Sequence, residues 1–182
     1  MSEQSTFDFD DADGNLLFTD GLPGSDPSVG YRGTSAATAA GISYRQLDYW
    51  DRTDLVQPSV RGATGSGTQR LYAFRDILVL KLVKRLLDTG VSLQQIRIAI
   101  KQLRKSGIND LATTTLMSDG VKVYLCNSNE EVIDLLARGQ GVFGIAVGLV
   151  FREVEATLST ITPSSLEELD DLSIRRQAKK AI

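Results

Sequence analysis

The chain has 182 residues, a formal net charge of −3, 42% apolar and 24% charged residues, and one cysteine, Cys126. That length suits one domain or two small ones. The lone thiol excludes a disulfide framework and a multi-thiolate centre, and the absence of histidine excludes a Ser/His/Asp triad, a Cys–His dyad and a His-ligated zinc. The longest apolar run, Val142 to Phe151, is about half of what spans a bilayer. The first residues lack the basic flank and apolar core of a secretory signal. A soluble, cytoplasmic protein that is not an enzyme and carries no cofactor or metal is expected.

The small net charge conceals a strong asymmetry. Residues 1–28 carry −7 (Glu3, Asp8, Asp10, Asp11, Asp13, Asp20, Asp26), residues 29–105 carry +8 and residues 106–182 carry −4. A basic block between acidic flanks is the footprint of a polyanion-binding module, although helices with solvated lysine faces produce the same count. Residues 1–28 are rich in Asp, Gly and Ser and too poor in large apolar side chains to offset ordering, which predicts a disordered tail.

Helical patterning begins at Thr34. Thr34 to Ala40 is a short Ala-rich helix broken by Gly41, and Ser43 with Gln46 forms a capping box opening a second helix, Tyr44 to about Thr53. The Gly-rich stretch Arg61 to Gln69, followed by Arg70-Leu71-Tyr72, reads as a small hairpin. An amphipathic helix then runs from Phe74 to Asp88 with Ile77, Leu80, Val83 and Leu87 on one stripe, and Gly90 ends it. Ser92 and Gln95 form a second capping box, opening a helix with Leu93, Ile96, Ile100 and Leu103 at helical spacing.

The period then changes. Val121 to Leu125 alternates as a strand after an Asp119-Gly120 turn, and Ser128 to Glu131 cap a helix ending near Ala137. Val142 to Leu158, rich in Val, Ile and Phe, reads as strand; Leu149, Val150, Val154 and Leu158 at helical spacing offer the alternative. A short acidic helix, Ser165 to Leu172, closes the patterned region. The expected fold is therefore mainly α with a small α+β part. The division is a tail (1–28), a winged helix-turn-helix (29–106), a small α+β domain (113–161) and a C-terminal tail (162–182).

Two short helices cross tightly only with a small residue at their approach, a glycine at the turn and apolar positions between them. Ala37 and Gly41 supply the first two, and Ala36, Ala40, Ile42, Leu47 and Trp50 supply the inward positions. Ser43, Tyr44, Arg45, Asp48, Tyr49 and Arg52 then face outward, offering donors for base edges and phosphates and rings for sugar. A plain helical hairpin would share the inward pattern. The glycine-rich hairpin that follows makes a wing carrying Arg61 and Arg70.

From Gly41 to Arg52, then Leu55-Val56-Gln57-Pro58, Arg70-Leu71-Tyr72, the helix from Phe74 and Gly90 to Ile96, the order of motifs resembles the N-terminal domain of the MerR family. The resemblance covers about residues 30–105. It implies a dimeric, winged-helix transcription regulator that binds double-stranded DNA at a near-palindromic promoter site, with RNA polymerase as a further candidate partner. It places Tyr44 and Arg45 in the major groove beside the Ser43 cap, Tyr49 and Arg52 on the phosphate backbone, and Arg61 and Arg70 on phosphate or minor groove. Three departures stand out. Asp48 replaces a usual arginine and is expected to orient Arg45 or Arg52, Gln69 stands where an aromatic is common, and the wing is longer. The family's long dimerisation helix is also opposed by Gly107 and Thr113-Thr114-Thr115, so residues 113–161 are expected to self-associate instead.

The remaining candidates carry less. Cys126 reads as a small buried side chain rather than a sensor. Glu153, Glu155 and Glu167 to Asp171 read as solvated faces. Gly139 to Gly148 lacks the GK[ST] ending of a phosphate loop. A protein-docking adaptor and an architectural DNA-binding factor, each built on a winged helix, are the alternatives, and no particular ligand is implied.

Overall fold

The computed structural model describes residues 28–63, 68–105, 113–139 and 143–170. These form β1 (Val29–Arg32), α1 (Gly33–Ala40), α2 (Tyr44–Arg52), β2 (Leu71–Tyr72), α3 (Phe74–Asp88) and α4 (Leu93–Leu103), followed by β3 (Thr115–Ser118), β4 (Val123–Cys126), α5 (Asn129–Ala137), β5 (Phe143–Ala146), α6 (Val147–Leu158) and β6 (Ser164–Ser165). The chain is mainly helical with two small sheets, ordered β2-β1-β6 and β4-β3-β5. Residues 1–27 of the expected disordered tail lie outside the described residues, and Ser28, its last residue, accepts the Leu166 N–H through its carbonyl.

Helix α1 buries Ala36, Ala37, Ala39 and Ala40, whose small side chains let it lie close against α3 and α2. It ends where Gly41 adopts φ +72°, a left-handed conformation that costs glycine nothing. The Gly41 N–H then donates to Thr38 O (3.1 Å) and the Ile42 N–H to Ala37 O (3.0 Å), satisfying the last carbonyls. Two residues on, Ser43 opens α2 with both halves of the expected capping box. Leu47 and Trp50 turn inward and are fully buried.

Helix α3 matches its expected span, but its apolar surface is wider than the expected stripe. Leu78, Val79, Leu82 and Leu86 are buried together with Ile77, Leu80 and Val83, because α1, α4 and α6 all pack against it. Leu87 stays only half-buried. Gly90 ends α3 with φ +88°. At Ser92, the hydroxyl accepts from the Gln95 N–H (3.4 Å), which is one half of the expected box.

The second half differs from the expectation in three places. The Thr113 to Thr115 cluster leads into a strand, β3, that pairs antiparallel with both β4 and β5 (Leu116 opposite Leu125 and Ile145). The strand expected from Val121 starts at Val123, because the Asp119 carboxylate accepts the Val121 and Lys122 N–H groups (2.9 and 2.7 Å) and holds them in the turn. Only Phe143–Ala146 of the Val142 to Leu158 stretch is strand, and Val147–Leu158 is helix; Val142 itself lies outside the described residues. Val147, Val150, Phe151, Val154 and Leu158 recur at helical spacing, and their burial overrides the β preference of Val and Phe.

Helix α6 packs on α3. The Phe74 and Phe151 rings meet at 4.6 Å between centroids, and Arg85 Nη2 donates to both carboxylate oxygens of Glu153 (2.5 and 2.7 Å). One apolar cluster consequently runs from Tyr31 through α1–α4 to Leu116, Ile145 and Leu158. The segment expected as a C-terminal tail opens with strand β6, which pairs with β1 (Val29 opposite Ser165, Gly30 opposite Ser164) before a helical turn over 166–170. Asp171 and Leu172, the expected end of that helix, lie outside the described residues.

Candidate nucleic-acid interface

Helix α2 has one buried edge, Leu47 and Trp50, and one open face. Tyr44 and Tyr49 are about half exposed (53% and 49%), Arg45 is exposed, and the Arg52 side chain is 69% exposed. Successive turns of one short helix thus present two phenolic rings and two guanidinium groups together. The Tyr44 ring lies against Gly33, where an added Cβ would come within 3.1 Å of it. A cleft of about 470 Å3 opens beside it, lined by Arg32, Thr34, Tyr44, Gln69 and Arg70.

The other expected residues are engaged within the chain. Ser43 Oγ accepts the Gln46 N–H and also contacts Gln46 Oε1 (both 3.2 Å), so this hydroxyl caps the helix. Asp48 is half-buried and orients Arg52, as expected, and Arg70 rather than Arg45. Its Oδ2 meets Arg52 Nη2 at 2.7 Å, and its Oδ1 accepts from Arg70 Nη2 at 2.8 Å. The Arg70 hydrogen bond, helped by the charge of Arg52, holds the Asp48 carboxyl below the usual carboxylate range.

Arg70 sits at the root of the 61–70 loop with its side chain only 14% exposed, and its Nε also pairs with Asp51 Oδ2 at 2.8 Å. Burial opposes its charge, but Asp48 and Asp51 outweigh that and raise its pKa further. Burial pushes the Asp51 carboxyl up against the pull of Arg70. One guanidinium therefore joins the loop to two carboxylates a helical turn apart on α2, the fork geometry that arginine and not lysine provides. Arg61 pairs through its backbone with Leu71 (3.1 and 2.9 Å), and its Nη1 lies 3.0 Å from Asp170 Oδ1. Residues 64–67, within the expected wing, lie outside the described residues.

Four positioning residues escaped the sequence reading. Asp76, in the first turn of α3, accepts from Ser59 N–H, Ser59 Oγ–H and Ala73 N–H (2.8, 2.7 and 2.8 Å), closing the base of the loop. Burial raises its carboxyl pKa, and those donors pull against the rise. Arg97 on α4 and Arg104 just past its end donate to Thr53 O and Leu55 O (both 2.7 Å), satisfying carbonyls just beyond α2. Asp51, fourth, is the second anchor of Arg70. The signals were present: an acid three residues after a helix cap, and two arginines seven apart on one helical face. Much of the +8 block is thus spent inside the fold, including Arg70, Arg75, Lys81, Arg85, Arg97 and Arg104.

Among the described residues, no helix is long and apolar enough to cross a membrane, and no group of three or more Cys, Asp or Glu is arranged to hold a metal. A family model described as the MerR HTH family regulatory protein matches residues 31–108. HTH-type transcriptional regulators of Mycobacterium tuberculosis and Mycobacterium bovis are 62% identical over 144 residues, 79% of this chain and 63% of theirs. The chain thus spans less than two thirds of the length of these relatives. The heavy metal-dependent transcription regulator 1 of Rhizobium meliloti is 31% identical over 65 residues, 36% of this chain and 42% of its own. The family match begins at Tyr31 and takes in α1, the Gly41 turn, α2 and the helices behind them, so residues 31–108 resemble the helix-turn-helix domain of MerR-family regulators.

Proposed function

We propose that this protein is a sequence-specific DNA-binding transcription regulator that acts as a homodimer on a near-palindromic promoter site, where it also meets RNA polymerase, in the cytoplasm and on the nucleoid. The observation that carries this reading is the open face of α2, with Tyr44, Arg45, Tyr49 and Arg52 exposed opposite the buried Leu47 and Trp50. In it, Tyr44 and Arg45 read base edges in the major groove. Tyr49 and Arg52 hold phosphate, and Arg61 reaches phosphate from the wing. Ser43, Asp48 and Arg70 act one step back, the first by starting the helix and the other two by setting the wing against it.

A lone half-site reader discriminates poorly, which calls for a twofold pairing of chains. Helix α5 supports the expected self-association of residues 113–161. It has no buried residue, and it exposes Ile133 (63%) and Leu136 (52%).

Selection of binding sites from random duplex DNA, followed by footprinting, tests the reading. The expected result is one enriched sequence with two related halves. Arg45→Ala should then cost about 1–3 kcal/mol of affinity and relax the preference at the base pair it contacts. Enrichment of no sequence would overturn the reading in favour of the protein-docking alternative, and undiminished discrimination by Arg45→Ala would remove that residue from base reading.

A further inference from the structure

The C-terminal segment returns to the loop that precedes β2. Ser164 and Ser165 pair with Gly30 and Val29, and the Leu166 N–H donates to Ser28 O at 3.0 Å. Reciprocal hydrogen bonds between Ser165 and Glu168 (3.2 and 3.4 Å) start the helical turn over 166–170, and Leu169 is buried beneath it. Strand pairing, cap and buried leucine together fix where the acids of this turn fall. Asp170 arrives at Arg61, with Nη1 to Oδ1 at 3.0 Å and side chains 25% (Arg61) and 62% (Asp170) exposed. The same segment engages a second arginine: Arg32, on the cleft beside Tyr44, donates from Nε to Ser164 Oγ at 3.1 Å.

We propose that Asp170 is an intramolecular competitor for the DNA backbone, its carboxylate occupying the guanidinium of Arg61 that a phosphate would take. The inference rests on the reading of Arg61 as a phosphate contact. Carboxylate and phosphate present the same kind of acceptor to an arginine fork, so one excludes the other. Because β6 is hydrogen-bonded to β1, the acid stays beside its target and acts as a local counter-charge at high effective concentration. An ion pair this exposed is weak, which makes it a graded brake on binding rather than a block. It also gives the C-terminal segment a direct line to the DNA face, since anything that pulls β6 from β1 withdraws Asp170 from Arg61.

The test is fluorescence anisotropy of the full chain on its selected duplex across a salt series, for the wild type, Asp170→Asn, Arg61→Ala and the double variant, with thermal melts to match folding. Asp170→Asn should bind roughly two- to fivefold tighter. Its plot of log affinity against log salt should steepen by up to about one, the signature of one more phosphate engaged. Arg61→Ala should cost little in the wild-type background and more in the Asp170→Asn background. Equal or weaker binding by Asp170→Asn, or the same cost of Arg61→Ala in both backgrounds, overturns the brake while leaving DNA binding in place. A wild type that binds no duplex, with Asp170→Asn equally inert, overturns both readings.

Discussion

Helices α2 and α5 are both nine residues long and both present large side chains to solvent, yet they are built in opposite ways. Behind α2 stand Leu47 and Trp50 in the core, a complete capping box at Ser43, and Arg97 and Arg104 on the carbonyls just past its end. Helix α5 lies against β4 with Val132 and Leu135 half-buried and none of its residues fully so. What each exposes follows the same division. The firmly held helix offers rings and guanidinium groups, whose hydrogen bonds depend on position to a fraction of an ångström. The lightly held one offers Ile133 and Leu136, aliphatic surface that binds without directional demands.

The contrast can be broken most forcefully from behind α2. Trp50→Ala should cost about 3–5 kcal/mol in urea unfolding, because a large side chain is removed from a packed site, and DNA binding should fall with it. Arg70→Ala should come next at about 1–3 kcal/mol, since it takes the guanidinium from half-buried Asp51 and leaves Asp48 with Arg52. Arg70→Lys should recover little of that loss, because a single ammonium does not reproduce the fork. At the small end, Ile133→Glu with Leu136→Glu should shift the stability of the folded chain by no more than about 0.5 kcal/mol per site. The same pair of changes should convert a dimer to a monomer in sedimentation velocity; a dimer that survives them pairs through another surface.

The two halves also differ in how openly their sequence announces them. Around α1 and α2 every signal is local. Gly41 marks the turn, Ser43 and Gln46 sit three residues apart, and the inward positions recur within two helical turns, so nothing distant was needed to read them. The C-terminal half depends on partners far away in the chain. Ala146, at the junction of β5 and α6, offers no capping side chain, so the change from strand to helix carries no mark of its own. Strand β3 is buried along most of its length and shows no alternation, and β6 makes sense only beside β1, well over a hundred residues earlier. The site was legible to the same degree. The open face of α2 could be read from periodicity, whereas the engagement of Arg70, Arg61, Arg97 and Arg104 is a matter of tertiary geometry that a charge count does not register.

The carboxylate of Asp76 holds Ser59 and Ala73 at once, so both ends of the intervening loop are pinned whatever lies between them. Loop closure grows costlier only slowly with length, by about 0.6 kcal/mol for each doubling. Insertions at the tip should therefore leave the helical scaffold untouched. Relatives of this chain have room to lengthen, shorten or recharge that tip, and so to adjust how the protein grips its partner, without having to evolve a new fold beneath it.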